Sequence, residues 1–144
     1  MAIKQNTTAI TTAAETFILS YATDLTSPMF KTTSSRASKM ATYYLPTVIS
    51  LINGTMTEIS GPSEFESIIL RALDCLAGHG AVEVTGHKVD AVSKNSAIIW
   101  LSLKVEGVQM SNVYFFRRME NGAEGFEGGI FDGEMWLLSQ LGKL

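Results

Sequence analysis

AIIWLSLKVEGVQMSNVYFFRRMENG, residues 97–122, holds two long runs of strand-forming side chains. Ala97–Val105 and Gln109–Met119 are rich in β-branched and aromatic residues, and turn signals bound both: Glu106-Gly107 between them and Asn121-Gly122 after them. Connections this short join antiparallel neighbours. Upstream, Ala81–Val92 reads as a further strand, set off by Lys94-Asn95, and downstream Gly125–Leu137 reads as a fourth. From Gly80 onward the chain is therefore expected to form a four-stranded antiparallel meander.

The first half has a different period. Ile10, Ala14, Phe17, Ile18, Tyr21 and Leu25 recur at three- and four-residue spacing, which predicts a helix over residues 7–26, ended by Ser27-Pro28. A shorter helix over residues 34–44 carries a stripe of Ala37, Met40, Ala41 and Tyr44, with Arg36 at its edge and Pro46 closing it. Residues 48–52 and 55–59 read as a hairpin around Asn53-Gly54. Gly61-Pro62 opens a third helix whose Phe65, Ile68, Ile69, Ala72, Leu73 and Leu76 share one face, stopped at Gly78-His79-Gly80. Helices first and antiparallel strands last mean an α+β fold with helices packed on one sheet face, expected as a single domain over residues 1–144.

Composition bounds the function. The 144 residues are 46% hydrophobic and only 17% charged, with a net charge of −3. Roughly 68% of the unfolded surface of a chain this long is buried on folding, enough for an ordinary core. Acidic balance and the lack of a Lys/Arg cluster argue against nucleic acid as a partner. No stretch approaches the roughly 18 apolar residues of a membrane span, and the N-terminus lacks the apolar core of a secretory signal. One cysteine, Cys75, makes no intramolecular disulfide. A cytoplasmic protein is the expectation. His87 has no second ligand at metal spacing, and Gly78-His79-Gly80 runs from helix to strand, the reverse of a dinucleotide fingerprint; neither a metal nor another cofactor is expected.

Several local signatures, in order, resemble the nuclear-transport-factor-2-like superfamily, especially its SnoaL-like members. They are Tyr43-Tyr44-Leu45-Pro46, Asn53-Gly54-Thr55 with Ile59-Ser60-Gly61-Pro62, Ala97-Ile98-Ile99-Trp100, Tyr114-Phe115-Phe116-Arg117-Arg118, and Gly125-Phe126-Glu127 with Asp132. The resemblance implies a strongly curved, mostly antiparallel sheet wrapped around three helices as a cone with an apolar cavity. It also implies a hydrophobic small-molecule ligand and a homodimer formed through the sheet face. Members include ketosteroid isomerases, polyketide cyclases, epoxide hydrolases and small fungal isomerases of secondary metabolism, beside carriers with no chemistry. A cofactor-independent isomerase or cyclase acting on a polyketide- or terpenoid-like molecule is the leading expectation; a binding or dimerisation module and an epoxide hydrolase are the alternatives.

Such chemistry needs a proton acceptor, a proton donor and apolar walls that shift their pKa values. Counting from the Asn121-Gly122 turn puts Glu127 on the cavity face of the last strand, as general base. Its plainer role is a surface glutamate paired with Arg117 or Arg118. A bulge at Gly128-Gly129 reverses that count, and Asp132 then replaces Glu127. Tyr114 is the expected donor to a developing oxyanion, or else a core tyrosine with a satisfied hydroxyl. Tyr21 and Arg36 are the helical candidates for the same task, Arg36 alternatively serving as a helix cap. Phe17, Met40, Tyr44, Trp100, Asn112, Phe116 and Phe131 are expected to line the pocket. The carboxylate that steroid-isomerase-like chains carry near the end of the first strand is replaced here by Leu51-Ile52-Asn53.

Overall fold

Helix α1 (Thr8–Thr26) starts where the Asn6 side chain accepts a hydrogen bond from the Thr8 amide, and it buries the stripe Ile10, Ala14, Ile18 and Tyr21. Helix α2 (Thr33–Ala41) begins with a reciprocal capping box between Thr32 and Ser35. The computed structural model describes residues 6–52, 55–76 and 79–130. After α2 come strands β1 (Tyr44–Ile52) and β2 (Thr55–Ser60), helix α3 (Pro62–Leu76), and strands β3 (Glu83–Ser93), β4 (Ser96–Val105), β5 (Val108–Arg118) and β6 (Glu124–Ile130). The expected turn at Asn53-Gly54 lies outside the described residues, as does the last strand beyond Ile130.

The strands form one sheet in the order β2-β1-β6-β5-β4-β3. All neighbours are antiparallel except β1 and β6, which run parallel. The N-terminal hairpin is thus stitched to the end of the meander, an α+β cone with helices on one side of a mostly antiparallel sheet. Residues 42–44 leave the helix earlier than expected, and Tyr44 opens β1 instead of closing α2. Proline explains both: Pro46 has no N–H for a ladder, and it sits where the β1–β6 register shifts, between Tyr44 and Ile49.

Strand β4 alternates without a break. Ala97, Ile99, Leu101, Leu103 and Val105 are buried against α1 and the other strands, while Ile98, Trp100, Ser102 and Lys104 face outward. A second, smaller cluster joins Val48, Ile59 and Phe65 under α3.

The β1–β6 seam depends on residues without side chains. A Cβ at Gly128 would lie 2.3 Å from the Ile49 carbonyl oxygen, and one at Gly125 2.8 Å from that of Tyr43. Real Cβ atoms do not approach backbone so closely, so only glycine lets β6 lie against β1 here. Gly128→Ala is expected to lower the urea midpoint through a loss of about 2–3 kcal/mol of stability, the cost of overpacking. Gly86→Ala, where nothing lies within 4 Å of the added carbon, should change stability by less than about 1 kcal/mol. Equal effects at the two positions would contradict the seam.

Candidate functional site

A cavity of about 140 Å³ lies between α3 and the inner face of the sheet. Ile68, Ile69, Ala72, Leu73 and Leu76 supply the α3 wall. Their three- and four-residue spacing puts them on one helical face. Tyr21 and Leu25 of α1, Leu103 of β4 and Met110 of β5 complete the apolar lining. A cavity of about this size holds a single benzene ring. The enclosed space therefore takes one ring-sized portion of a ligand.

Polar groups gather at one end. Tyr44 enters from the start of β1, its ring stacked on Phe65 at 3.8 Å, and Tyr114 enters from β5, stacked on Phe126 at 4.6 Å. Tyr21 stands edge-on to both Tyr114 and Phe126. The hydroxyls form a chain: the Asn112 amide donates to the Tyr114 oxygen at 3.2 Å, and Tyr114 donates to Tyr21 at 3.5 Å. The Tyr21 and Tyr44 hydroxyls share a hydrogen bond at 3.0 Å. Burial is the main reason that all three phenols lose protons only well above the ordinary value of 10.0. A negative charge on a neighbouring phenol would raise each of them further. At physiological pH the phenols are therefore neutral, bonded to one another at the end of a mostly apolar cavity. Among the described residues no Asp or Glu lines this cavity, and no group of three His, Cys, Asp or Glu side chains is placed to hold a metal.

No protein-family model and no curated protein matches the sequence. Solved structures do match the fold. An NTF2-like protein of unknown function from Pseudomonas putida superposes with a TM-score of 0.63 at 11% identity, over 87% of each chain. Aln2 from a Streptomyces species gives 0.62 at 11% identity, over 95% of this chain and 99% of that one. Nuclear transport factor 2 from Cryptosporidium parvum gives 0.58 at 14%, over 91% and 98%. The chain has the nuclear-transport-factor-2-like fold. At these identities the likeness extends to architecture and leaves activity to be argued from side chains.

Within the NTF2-like cone, some expected site residues converge and others do not. Tyr21, Tyr44, Asn112 and Tyr114 all line the cavity. Glu127 does not. Phe115 pairs with Gly128 and Phe116 with Phe126, so Glu127 is the extra residue of a β-bulge. Phe126 takes the inner face, fully buried. Glu127 lies with Arg117, 3.8 Å from its Nε, with 39% of its side chain exposed. The count from the Asn121-Gly122 turn fails because the connection is one residue longer than a two-residue hairpin: the Met119 amide bonds the Ala123 carbonyl and Arg118 pairs with Glu124, so Phe126, not Glu127, lies opposite Phe116. Asp132 and Phe131 lie outside the described residues.

Arg36 also has another task. Its guanidinium donates to the carbonyls of Asp24, Leu25 and Ser27 at 2.7–2.8 Å and lies over the Phe30 ring. It thus closes the C-terminal end of α1, where a cation is favoured and the last carbonyls lack partners. Phe17, Met40 and Phe116 belong to the core behind the cavity: Phe17 packs on Tyr43, Phe116 and Phe126, while Met40 and Phe116 are fully buried. Trp100 points to the outer face beside Lys88, opposite in parity to Ile99 and Leu101. That strict alternation of β4 was the signal that placed it outside.

Three pairings emerge only in three dimensions. Asp24 accepts the Tyr43 hydroxyl at 2.5 Å with Lys39 4.0 Å away, joining α1, α2 and the residue before β1. Burial, then the bond to Asp24, pushes the Tyr43 phenol up as well. His87 pairs with Glu15 of α1 at 2.6 Å, and His79 faces Glu106 across the β4–β5 turn at 3.4 Å. The Cys75 side chain lies outside the described ones.

The phenols carry a pH prediction. Because burial raises the folded pKa above the unfolded value, the stability they contribute is complete below pH 10 and is lost as pH rises toward the folded values. Urea midpoints should hold level from pH 8 to 10 with respect to tyrosine ionisation, then fall. Tyr21→Phe should fall less steeply above pH 10. A phenolate absorbance from these residues in the folded protein below pH 10 would contradict it.

Proposed function

We propose that this chain binds an apolar small molecule carrying a carbonyl or enol oxygen, and promotes its isomerisation or cyclisation by acid–base chemistry without a cofactor. The observation behind this is the convergence of the Tyr21, Tyr44 and Tyr114 hydroxyls at one end of an otherwise apolar cavity. Enolisation or ring closure develops negative charge on the ligand oxygen. Neutral phenols that turn from one another toward the ligand oxygen in an apolar pocket stabilise that charge more than they stabilise the ketone. A ligand ring seats against α3, and its oxygen meets the phenols in place of water. Glu127 lies across the sheet with Arg117, away from the phenols, so we do not assign it as the proton acceptor. Of the carboxylates expected from sequence, Asp132 remains for that role.

One observation favours a second reading. No carboxylate lines the cavity among the described residues, which suits a carrier that holds its ligand without turnover. Deuterium exchange at the methyl group of acetophenone in D2O, followed by NMR, separates the two. The enzyme reading expects catalysed exchange, lowered roughly 10²-fold in Tyr44→Phe or Tyr21→Phe. Exchange should be lost with binding retained in Asp132→Asn, and unchanged in Glu127→Gln. Binding without catalysed exchange supports the carrier. Unaltered exchange in both tyrosine variants would sink the assignment.

The outer sheet face suits a second copy of the chain in the cytoplasm. Ile98 lies opposite Phe115, Trp100 opposite Val113, and Val113 opposite Ile130. Ile49 on β1, across from Gly128, is 54% exposed. Contiguous apolar positions of this kind mark association surfaces. Light scattering should report a dimer for the wild type and a folded monomer for Phe115→Glu; a strictly monomeric wild type would contradict this.

A further inference from the structure

The cavity has an acceptor as well as donors. Asn112 is part-buried, lines the cavity, and spends its amide N–H on the Tyr114 hydroxyl. A carboxamide carries two donors and one acceptor oxygen with two lone pairs. The Asn112 Oδ1 accepts no hydrogen bond within the chain among the described residues. Apolar side chains make up most of the remaining lining, among them Met110, Leu103 and the α3 face. A partly buried carbonyl oxygen against such walls gains from a donor supplied by the ligand, because water is largely displaced when the cavity fills.

From this we infer that the ligand is bifunctional: a neutral, ring-sized apolar molecule that offers a hydroxyl or enol O–H to the Asn112 oxygen as well as an acceptor oxygen to the phenols. Asn112 is then a specificity-determining residue. Its amide also orients the hydroxyl chain by donating into Tyr114, whose own hydrogen goes to Tyr21. The two ends of one carboxamide therefore do different work, one ordering the donors and one selecting the ligand. Charged ligands fit poorly, since the described lining holds no ionised group to pair with them. This assignment rests on the cavity being the ligand site, as proposed above.

Three probes of similar shape test it: acetophenone, 3-methylacetophenone and 3-hydroxyacetophenone, with affinities measured by calorimetry or ligand-observed NMR at pH 7. The hydroxyl compound should bind about 3- to 10-fold more tightly than its methyl counterpart, the worth of one hydrogen bond. Asn112→Leu should remove that preference, so that the hydroxyl compound binds no more tightly than its methyl counterpart. Asn112→Ala, which adds no bulk, repeats the comparison where leucine is not accommodated. Binding of all three without a hydroxyl preference in the wild type would overturn the inference and leave the cavity assignment standing. A preference that survives both variants would overturn it too. Failure of all three to bind would overturn the cavity assignment itself.

Discussion

Everything at the site depends on how β6 is laid against β1. Gly128 and Gly125 allow the Ile49 and Tyr43 carbonyls to approach within distances that no side chain tolerates. That close seam runs parallel, with Tyr44 beside Phe126 and Ile49 beside Gly128. It draws the first hairpin onto the end of the meander and turns the Tyr44 ring inward against Phe126 and Phe65. The bulge at Glu127 belongs to the same strand. Phe126 takes the inner face opposite Phe116, and the bulge that follows sets Gly129 opposite Tyr114 while the carboxylate stays with Arg117 outside. Geometry along one strand thus decides which polar groups enter the cone.

The choice agrees with simple electrostatics. An ionised carboxylate left without a partner in an apolar pocket is costly, and a buried phenol is far cheaper provided that its hydroxyl is bonded. Linking Asn112, Tyr114, Tyr21 and Tyr44 satisfies the hydroxyls through one another. The same chain keeps the phenols neutral across the physiological range, as hydrogen-bond donors rather than charges. Arg36 follows the same rule elsewhere. Its charge is spent on three carbonyls at the end of α1 and never reaches the cavity.

Much of this was legible in the chain. The period of Ile10, Ala14, Ile18 and Tyr21 predicts α1 and its buried face, and the apolar stripe from Phe65 to Leu76 predicts α3. The turns at Glu106-Gly107 and Asn121-Gly122 set the antiparallel meander, so the α+β cone follows from local signals. Tyr21, Tyr44, Asn112 and Tyr114 fall on the cavity because α1 and β5 keep their regular periods and Tyr44 sits beside the seam. Glu127 was illegible for the opposite reason. One extra residue in the turn inverts strand parity, so that Phe116 faces Phe126 rather than Glu127, and the bulge then restores Gly129 opposite Tyr114. Trp100 shows the reverse case: alternation along β4 already placed it with Ser102 and Lys104, against the pull of its size. The parallel pairing of β1 with β6 joins residues about 80 positions apart, which no short-range pattern encodes.

The central claim is that neutral phenols, and not Glu127, meet the ligand in the cone. A crystal structure of the acetophenone complex tests it most directly. The account predicts the ketone ring against α3, its oxygen within hydrogen-bonding distance of a hydroxyl among Tyr21, Tyr44 and Tyr114, and Glu127 still beside Arg117. Acetophenone bound away from those hydroxyls, or Glu127 turned into the cavity against the ketone, would contradict it.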